Sequence, residues 1–194
     1  MDLNHEYTLI QQMQSGDINA FRDFVEKYKQ QVYYLALDLT GHHHDAEDLS
    51  QEVFIKAYSS IQSFRKDAAL SSWLYRITVN AFIDKKRKKA WQLLRFKLDS
   101  DDENATPFPE PAEPGISGDP ERQMESALFQ QHLEKAMAKL SPKEKTIFVL
   151  RHHHEKSINE IAEMLKIATG TVKSLIFRSL KKLQKELAFY QTER

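Results

Sequence analysis

The sequence predicts an all-α protein made of two small helical domains joined by an acidic, proline-rich linker. In both halves of the chain, apolar residues recur three and four positions apart, which is the spacing of one helical face. Few segments alternate between apolar and polar residues with the period of two that a β-strand requires. Most of the six prolines fall between residues 107 and 120, among acidic residues, Gly and Ser. These observations place the domains at residues 1–95 and 121–190 and the flexible linker at 96–120.

The overall composition is that of a globular protein, with 41% hydrophobic and 29% charged residues. No apolar run approaches the ~20 residues that cross a bilayer, and residues 1–7 lack the features of a secretion signal. We therefore expect a cytoplasmic protein with no direct membrane insertion. The chain contains no cysteine, which excludes disulfides, thiolate metal sites and cysteine nucleophiles.

Charge is segregated along the chain although the formal net charge is zero. Residues 76–97 contain eight basic residues and one acidic residue, and residues 166–185 contain six basic residues and no acidic one. Between these blocks, residues 98–125 contain nine acidic residues and one basic residue. Two basic blocks with an acidic connector indicate two separate surfaces for a polyanion.

Three long helices are predicted in the first domain. An amphipathic helix opens at Asp17 and closes at Gly41. A second helix begins after the His42–His44 loop, with Asp45 as its expected cap and Asp48 at the reciprocal position. A third helix runs from about Ser71 into the basic run 85–89.

The second domain carries the pattern of a helix-turn-helix. Ser141-Pro142 joins a capping box to a proline at the first helical position, and Ser157 opens a second capping box before a short helix. A turn at 166–169 follows, with Thr169 as a plausible cap, and then a longer helix with an inner face at Val172, Ile176, Leu180, Leu183 and Leu187. A short helix, a tight turn and a longer helix form the DNA-binding motif.

The outer face of the last helix combines basic, hydroxyl and aromatic side chains. Basic side chains can donate to guanine edges and phosphates, Ser174 suits a phosphate, and Phe177 can touch a thymine methyl. A solvated basic face, or packing of Phe177 on the linker or another subunit, is the alternative. The face consists of Lys173, Ser174, Phe177, Arg178 and Lys181.

Aromatic residues also interleave with cations in the first domain. Phe64, Trp73 and Tyr75 occur beside Arg65, Lys66, Arg76 and Asn80. Aromatic faces hold unstacked bases while cations hold the backbone, so this stretch suits single-stranded DNA. The alternative is that at least one of Trp73 and Tyr75 belongs to the core, since they point to different helix faces.

The remaining polar clusters leave the chemistry open. The acidic second helix should repel DNA. Its carboxylates either dock on a basic protein surface or only stabilise the N-terminus of their own helix through the helix dipole. Two histidine triplets, His42–His44 and His152–His154, invite a metal hypothesis, but consecutive histidines cannot all face one ion on a helix. We find no phosphate loop, nucleophile elbow or metalloprotease pattern, and we expect a non-catalytic protein without a cofactor or metal.

Three stretches together resemble the extracytoplasmic-function sigma factors, which retain only the second and fourth conserved sigma regions. They are DAEDLSQEVFIKAYSSIQSF at 45–64, FRKDAALSSWLYRITVNAFIDKKRKK at 64–89, and LSPKEKTIFVLRHHHEKSINEIAEMLKIATGTVKSLIFRSLKKL at 140–183. The resemblance implies region 2 in the first domain and region 4 in the second. It implies a sigma factor that directs RNA polymerase to chosen promoters.

The resemblance assigns a role to each surface. The acidic helix is implied to grip the clamp of the polymerase largest subunit, and the loop at 64–72 to capture a flipped base of the minus-ten element, at a cost of a few kcal/mol. The last helix is implied to read the minus-thirty-five element as duplex. The polymerase-binding residues are Asp45, Asp48, Gln51, Glu52 and Phe54. The minus-ten residues are Lys56, Phe64, Arg65, Trp73, Arg76, Ile77 and Asn80. The minus-thirty-five residues are Thr169, Thr171, Lys173, Ser174, Phe177, Arg178 and Lys181.

Further partners and departures follow from the same resemblance. The polymerase flap and an inhibitory anti-sigma factor are implied partners, and the linker is implied to thread toward the active-site and RNA-exit channels. Leu175 stands where many relatives place arginine, which predicts one missing DNA contact. The His152–His154 triplet departs from the family's usual turn, with no role implied.

Two other functional hypotheses remain open from the sequence alone. An ordinary helix-turn-helix regulator with an N-terminal sensing domain would bind duplex DNA alone and would usually dimerise. A histidine-metal enzyme or sensor would carry stoichiometric zinc or nickel. Dependence of DNA binding on polymerase separates the sigma factor from the regulator.

Overall fold

A computed structural model describes residues 3–64, 69–99 and 120–191 of the chain; of these, the side chains of 3–5, 93–99, 120–127 and 191 are not described. Within these residues all regular secondary structure is helical. The predicted all-α class is therefore confirmed.

The first domain opens with two helices, α1 at Leu3–Gln14 and α2 at Ile18–Thr40. The Asp17 carboxylate caps α2 by accepting a hydrogen bond of 2.9 Å from the Asn19 amide. At the other end Gly41 adopts the left-handed conformation, with φ 82°, and donates its amide to Leu37 at 2.7 Å. Glycine reaches this conformation at little cost, so both predicted ends of α2 are confirmed.

Helix α3, His43–Ser60, begins earlier than its sequence suggests. The cap is His42, whose carbonyl accepts a 2.9 Å bond from Ala46, and no side chain completes the cap. The prediction that Asp45 caps this helix is wrong. Asp45 lies instead in the first turn, where its negative charge still favours the helix dipole. A short 3₁₀ helix, Ile61–Ser63, follows α3.

Helix α4, Leu70–Asp99, completes the first domain and includes the lysine run. Its apolar residues pack on α2 and α3 around two side chains that are 0–1% exposed, Phe24 of α2 and Phe82 of α4. Burying each such ring stabilises the fold by about 1.5–3 kcal/mol. One side of α3 and one side of α4 pack in this core. The opposite sides of both helices remain accessible to partners.

The second domain contains four helices and a terminal 3₁₀ turn. They are α5 at Pro120–Ala138, α6 at Pro142–His152, α7 at Ile158–Leu165, α8 at Thr169–Glu186, and the 3₁₀ turn at Ala188–Gln191. Both predicted capping boxes are confirmed, with Ser141 accepting from the Glu144 amide at 3.3 Å and Ser157 from the Glu160 amide at 3.2 Å. The order of a short helix, a turn and a longer helix is confirmed as well.

The two domains touch where α6 packs against α2 and α4 and where α7 packs against α4. The linker predicted at 96–120 falls largely outside the described residues, which resume at Pro120. Among the helices of the described ranges, none combines the length and hydropathy needed to cross a bilayer.

Candidate functional site

The predicted DNA-reading face of α8 is open to solvent along its whole length. Each of its seven predicted side chains is exposed, and Phe177 stands out because 68% of its surface is accessible. A ring this exposed contributes little to the core of its own domain. The exposed residues are Thr169, Thr171, Lys173, Ser174, Phe177, Arg178 and Lys181.

Backbone carbonyls of α8 hold two of these side chains near the helix surface. The Ser174 hydroxyl donates to the Gly170 carbonyl at 2.9 Å, and Arg178 Nε donates to the Ser174 carbonyl at 3.3 Å. Arg178 keeps its terminal guanidinium nitrogens for a partner. A planar, pre-positioned fork of this kind suits guanine or phosphate recognition.

The inner face of α8 differs from the predicted stripe. Leu175 is 7% exposed and belongs to the core with Val172, Ser179 and Leu183, whereas Leu180 is 37% exposed. The side chain of Leu175 faces the domain interior and cannot supply the contact of an arginine, so the expected loss of one DNA contact stays a prediction. Of the predicted stripe, Val172 and Leu183 are buried and Ile176 and Leu187 pack against the core, so only Leu180 departs from it.

The turn between α7 and α8 sets the angle of the reading helix. Lys166 ends α7 in the left-handed conformation, with φ 54°, and the Ile167 amide donates to the Ala162 carbonyl at 3.0 Å. Ala168 is the cap of α8 and Thr169 is its first residue, so the prediction of Thr169 as the cap is wrong. A hydroxyl that does not cap the helix remains exposed and can meet a phosphate.

An ion pair ties α8 to the start of α6. Lys182 Nζ lies 2.7 Å from Glu144 Oε2, and the carboxylate is also part of the Ser141 capping box. Burial acts to raise the pKa of Glu144, but the hydrogen bonds from Lys182 and Ser141 outweigh it and hold this pKa below its ordinary value. The orientation of α8 thus depends on the buried Glu144 carboxylate, whose partners are Lys182 and Ser141.

The aromatic cluster of the first domain is more buried than its sequence suggests. Phe64 is 7% exposed and Trp73 is 6% exposed, and their ring centroids lie 5.1 Å apart. Tyr75 is also 6% exposed. Among the described residues of this stretch the three rings pack in the core and form no open platform for bases, so the core alternative for Trp73 and Tyr75 is the one observed.

Four predicted minus-ten residues nevertheless share one stripe of α4. Trp73, Arg76, Ile77 and Asn80 are separated by three and four residues, so they lie one above another. Exposure increases along the stripe, from buried Trp73 through half-buried Arg76 and Ile77 to exposed Asn80. The stripe ends at the exposed amide of Asn80. An amide can both donate and accept hydrogen bonds, as recognition of a base edge requires.

Helix α1 holds both ends of the loop that precedes this stripe. Gln14 Nε2 donates to the carbonyls of Ile61 and Phe64 at 3.0 and 3.2 Å. The Glu6 carboxylate accepts from the Leu70 amide at 3.0 Å. Arg65, the remaining predicted minus-ten residue of the loop, lies outside the described residues.

The acidic face of α3 is partly neutralised within the chain. Lys85 of α4 lies 3.6 Å from Asp45 and 3.8 Å from Asp48, and the predicted minus-ten residue Lys56 pairs with Glu52 at 2.7 Å. These pairs are substantially exposed, so each contributes little to stability. A basic surface of a partner can therefore replace Lys85 and Lys56 as the ion partner of these carboxylates at a small cost in free energy.

A groove between α2 and α3 adjoins this acidic face. It has a volume of about 390 Å³, and both Gln51 and Phe54 line it beside Tyr33 and Tyr34 of α2. Tyr34 is 58% exposed. Phe54 is partly buried, and its ring centroid lies 6.0 Å from that of Phe24. The groove joins two of the predicted polymerase-binding residues to aromatic side chains of the neighbouring helix.

Several residues of these surfaces were missed by sequence reasoning. Tyr33 and Tyr34 lie off the predicted apolar stripe of α2, with Tyr34 exposed and Tyr33 partly buried against the core. An aromatic residue outside the predicted stripe is the signal that could have found them. Glu6 and Gln14 act across long separations in sequence, so no local pattern reveals them. Among the described side chains, no group of three or more potential ligands could hold a metal ion.

Comparison with protein families matches both domains. The model for Sigma-70 region 2 matches residues 24–92, and the model for Sigma-70, region 4 matches residues 130–183. The predicted assignment of region 2 to the first half and region 4 to the second agrees with these matches.

Curated relatives match over nearly the whole chain. The ECF RNA polymerase sigma factor SigW of Bacillus subtilis is 38% identical over 181 residues, covering 92% of this chain and 94% of that protein. The RNA polymerase sigma-H factor of Pseudomonas aeruginosa is 31% identical, with 92% of each chain covered. The ECF RNA polymerase sigma-E factor of Escherichia coli is 32% identical, with 90% of each covered.

Solved structures share the fold. The sigma factor RpoE of Bartonella quintana, solved with the anti-sigma factor NepR, has a TM-score of 0.62 at 27% identity and covers 91% of this chain and 100% of its own. CnrH, solved with the cytosolic domain of CnrY, has a TM-score of 0.63 at 20% identity, with 97% of this chain and 99% of its own covered, and this likeness shows the fold alone.

Proposed function

The chain belongs to the extracytoplasmic-function sigma factors of RNA polymerase, and on that premise we propose how its three surfaces direct the polymerase to a promoter. As an alternative sigma factor, the chain serves transcription initiation. Its role in the proposal is binding rather than catalysis. The exposed reading face of α8 is the observation that carries the proposal, because it presents basic, hydroxyl and aromatic groups with few internal partners.

Region 4, at residues 121–190, reads the minus-thirty-five element as duplex DNA through α8. Lys173 and Lys181 contact phosphates, and Arg178 contacts a base edge or phosphate with its free nitrogens. Phe177 meets an apolar part of a base, such as a thymine methyl. Thr169, Thr171 and Ser174 near the start of the helix contact the backbone, where the helix dipole favours phosphate.

Region 2, at residues 1–95, captures a flipped base of the minus-ten element beside the stripe of α4. Asn80 and Arg76 supply the polar contacts, with Ile77 between them. Phe64 and Trp73 form the floor of the pocket rather than an open stacking platform, since both rings are buried. Lys56 and Arg65 are proposed to hold the neighbouring phosphates.

The acidic face of α3 docks on the clamp of the polymerase largest subunit. Asp45, Asp48 and Glu52 meet basic residues of that surface, and they exchange their internal partners Lys85 and Lys56 for it. Gln51 and Phe54 place the docked segment over the groove between α2 and α3. The exchange leaves Lys85 and Lys56 unpaired, so docking also raises the positive charge beside the minus-ten pocket.

Three further features of the proposal rest on the family. An anti-sigma factor is a proposed partner, because the sigma factor RpoE of similar fold was solved with one. The polymerase flap is a proposed contact of region 4, and the acidic linker at 96–120 is proposed to thread into the polymerase channels. The cytoplasm is the proposed location, because the polymerase works there.

Run-off transcription from genomic fragments, with core polymerase and with or without the protein, tests the function. We expect initiation sites that need the protein and that vanish with the double variant Asp48→Arg, Glu52→Arg. The matched control Asp23→Arg, Glu163→Arg reverses two exposed carboxylates away from α3, one in each domain, and it should retain activity. Circular dichroism confirms that both variants fold.

The same assay separates the proposal from a stand-alone regulator. No protein-dependent site with any core enzyme, together with tight binding of duplex DNA by the free protein, would overturn the sigma-factor role. Initiation that survives in the double variant but not in the control would instead move the docking surface away from α3.

A further inference from the structure

The second histidine triplet lies at the contact between the two domains. His153 Nδ1 lies 3.1 Å from Asp38 Oδ1, and His154 Nε2 lies 3.0 Å from Asp38 Oδ2. Asp38 belongs to α2 of region 2, whereas both histidines follow the α6 helix of region 4. One carboxylate therefore receives two imidazoles from the other domain, one on each oxygen.

Tyr75 completes the contact from α4. Its hydroxyl lies 3.1 Å from His154 Nδ1, and the two rings meet edge to face at 5.6 Å. A neutral His154 satisfies both partners when Nε2–H donates to Asp38 and Nδ1 accepts from the Tyr75 hydroxyl. Lys156 Nζ lies over the Tyr75 ring at 5.4 Å from the centroid. His154 thus uses both ring nitrogens on the opposite domain.

Burial of this cluster makes it specific to the closed arrangement of the domains. Tyr75 is 6% exposed, and the side chain of His154 is 14% exposed. Burial acts to raise the pKa of Asp38, but the hydrogen bonds and charges of the two histidines outweigh it and lower this pKa. The carboxylate therefore stays ionised beside the imidazoles, and a hydrogen bond to a charged group is stronger than a neutral one.

Lys145 of α6 interacts electrostatically with residues of both domains. Burial, followed by repulsion from Lys86 of α4, lowers the pKa of Lys145 on α6 to about 8, although Glu134 and Asp38 attract its charge. The positive charge of Lys145 is thus disfavoured where the domains meet.

The closed arrangement cannot serve both promoter elements at once. The minus-ten and minus-thirty-five elements are centred about 25 base pairs apart, which is roughly 85 Å along straight duplex at about 3.4 Å per base pair. A compact domain of this size is about 35 Å across, and helix α4, with 30 residues, measures about 45 Å. The centres of two touching domains therefore lie about 35–45 Å apart, well short of about 85 Å. The domains must separate before regions 2 and 4 reach their elements together.

We propose that Asp38, Tyr75, His153 and His154 form an interdomain clasp that holds the free protein closed and that must open for promoter binding. The inhibitory role of the clasp rests on the proposed function, whereas the clasp itself rests on the contacts alone. Core polymerase, by holding region 2 and region 4 apart, would displace the clasp. This gives His153 and His154 of the triplet a role that the family resemblance did not supply.

Single-molecule energy transfer in the full-length protein tests the clasp. Because the chain has no cysteine, Asp23→Cys and Gln184→Cys introduce two unique exposed labelling sites, one in each domain. We expect mainly high transfer for the parent and a roughly tenfold larger ratio of open to closed molecules for His154→Ala or Asp38→Asn. His44→Ala, an exposed histidine of the other triplet, is the matched control and should leave the ratio unchanged.

A second substitution should shift the open and closed populations in the opposite direction, which a variant that merely fails to fold cannot do. In the His154→Ala background, Lys145→Met removes the disfavoured charge and should return the population toward the closed state. A parent that is mostly open, or an unchanged ratio in His154→Ala and Asp38→Asn with normal circular dichroism, would overturn the clasp.

Transcription on the same variants separates the two proposals. Clasp variants should reach half-maximal run-off at a severalfold lower protein concentration than the parent. If the parent starts no transcripts but the transfer ratios behave as expected, the clasp stands and the promoter function fails. If the parent is active and the ratios do not move, the clasp alone fails.

Discussion

The ammonium group of Lys182 on α8 lies 2.7 Å from the carboxylate of Glu144 at the start of α6. The Glu144 side chain is only 5% exposed, and it also closes the capping box with Ser141. This pair links the orientation of the DNA-reading helix to the cap of the first helix of the motif, and it makes the second domain sensitive to pH.

Removing the lysine should destabilise region 4. Lys182→Met leaves a buried carboxylate without its ion partner, and we expect a loss of about 1–3 kcal/mol in the free energy of unfolding at pH 7. Chemical denaturation measures this loss. The neighbouring exposed Lys181→Met should change the stability by less than about 0.5 kcal/mol, and equal losses in both variants would contradict the assignment.

The pH dependence of that stability follows from the lowered pKa of Glu144. A carboxyl whose folded pKa lies below its ordinary value of 4.5 contributes stability that is present above that value and lost as pH falls through the folded pKa. Glu144→Gln should therefore flatten the acid limb of the stability curve. Denaturation midpoints of the parent and variant between pH 3 and 7 test this, and parallel curves would exclude the pair as the cause.

Two contacts of the reading face should fail in different ways. Arg178→Ala should weaken binding of the holoenzyme to its own minus-thirty-five element by about 1–3 kcal/mol and relax base preference there. Lys173→Ala should weaken binding on all sequences and reduce the salt slope by about one. Competition assays at several salt concentrations distinguish the two, and Lys185→Ala, an exposed lysine outside the face, is the control.

Asn80→Ala should impair promoter opening without affecting the fold. Asn80 is exposed at the end of the minus-ten stripe, so its loss removes a base contact and little packing. A fluorescent base analogue in the minus-ten element should report slower and less complete opening. Trp73→Ala, by contrast, should cost about 3–5 kcal/mol of stability, because that ring is buried against Phe64. Normal opening by a folded Asn80→Ala protein would remove this residue from the pocket.

The anchoring of the minus-ten loop by α1 gives a further prediction. Gln14→Ala removes the donor that holds the carbonyls of Ile61 and Phe64, and we expect slower promoter opening and about 1–2 kcal/mol of lost stability. Gln11→Ala, an exposed residue of the same helix, should be silent in both assays. Opening kinetics and thermal unfolding measure the pair of effects, and equal behaviour of the two variants would contradict the anchoring role.

Local signals along the chain predicted four of the helix ends in the described residues. Asp17, Gly41, Ser141 and Ser157 end or begin helices where expected, because each satisfies backbone groups within three or four residues. Two expected caps failed. His42 and Ala168 begin their helices without side-chain help, since packing of α3 and α8 on the core determines where those helices start.

Packing over long separations explains what the sequence could not predict at the site. The inward position of Leu175 and the burial of Phe64 and Trp73 depend on neighbours from other helices. The groove between α2 and α3 requires Tyr34 and Gln51 to meet, although they are distant along the chain. No local period carries such information.

By itself, the sequence determined the all-α class, the positions of the two regions and the chemistry of the DNA-reading face. Helical period, capping residues and charge blocks are local properties, and each survives in any arrangement of the domains. Only the tertiary structure brought Asp38 and Tyr75 of region 2 to His153 and His154 of region 4. These contacts form only when separate helices pack, so their partners are decided by the closed arrangement and not by spacing along the chain.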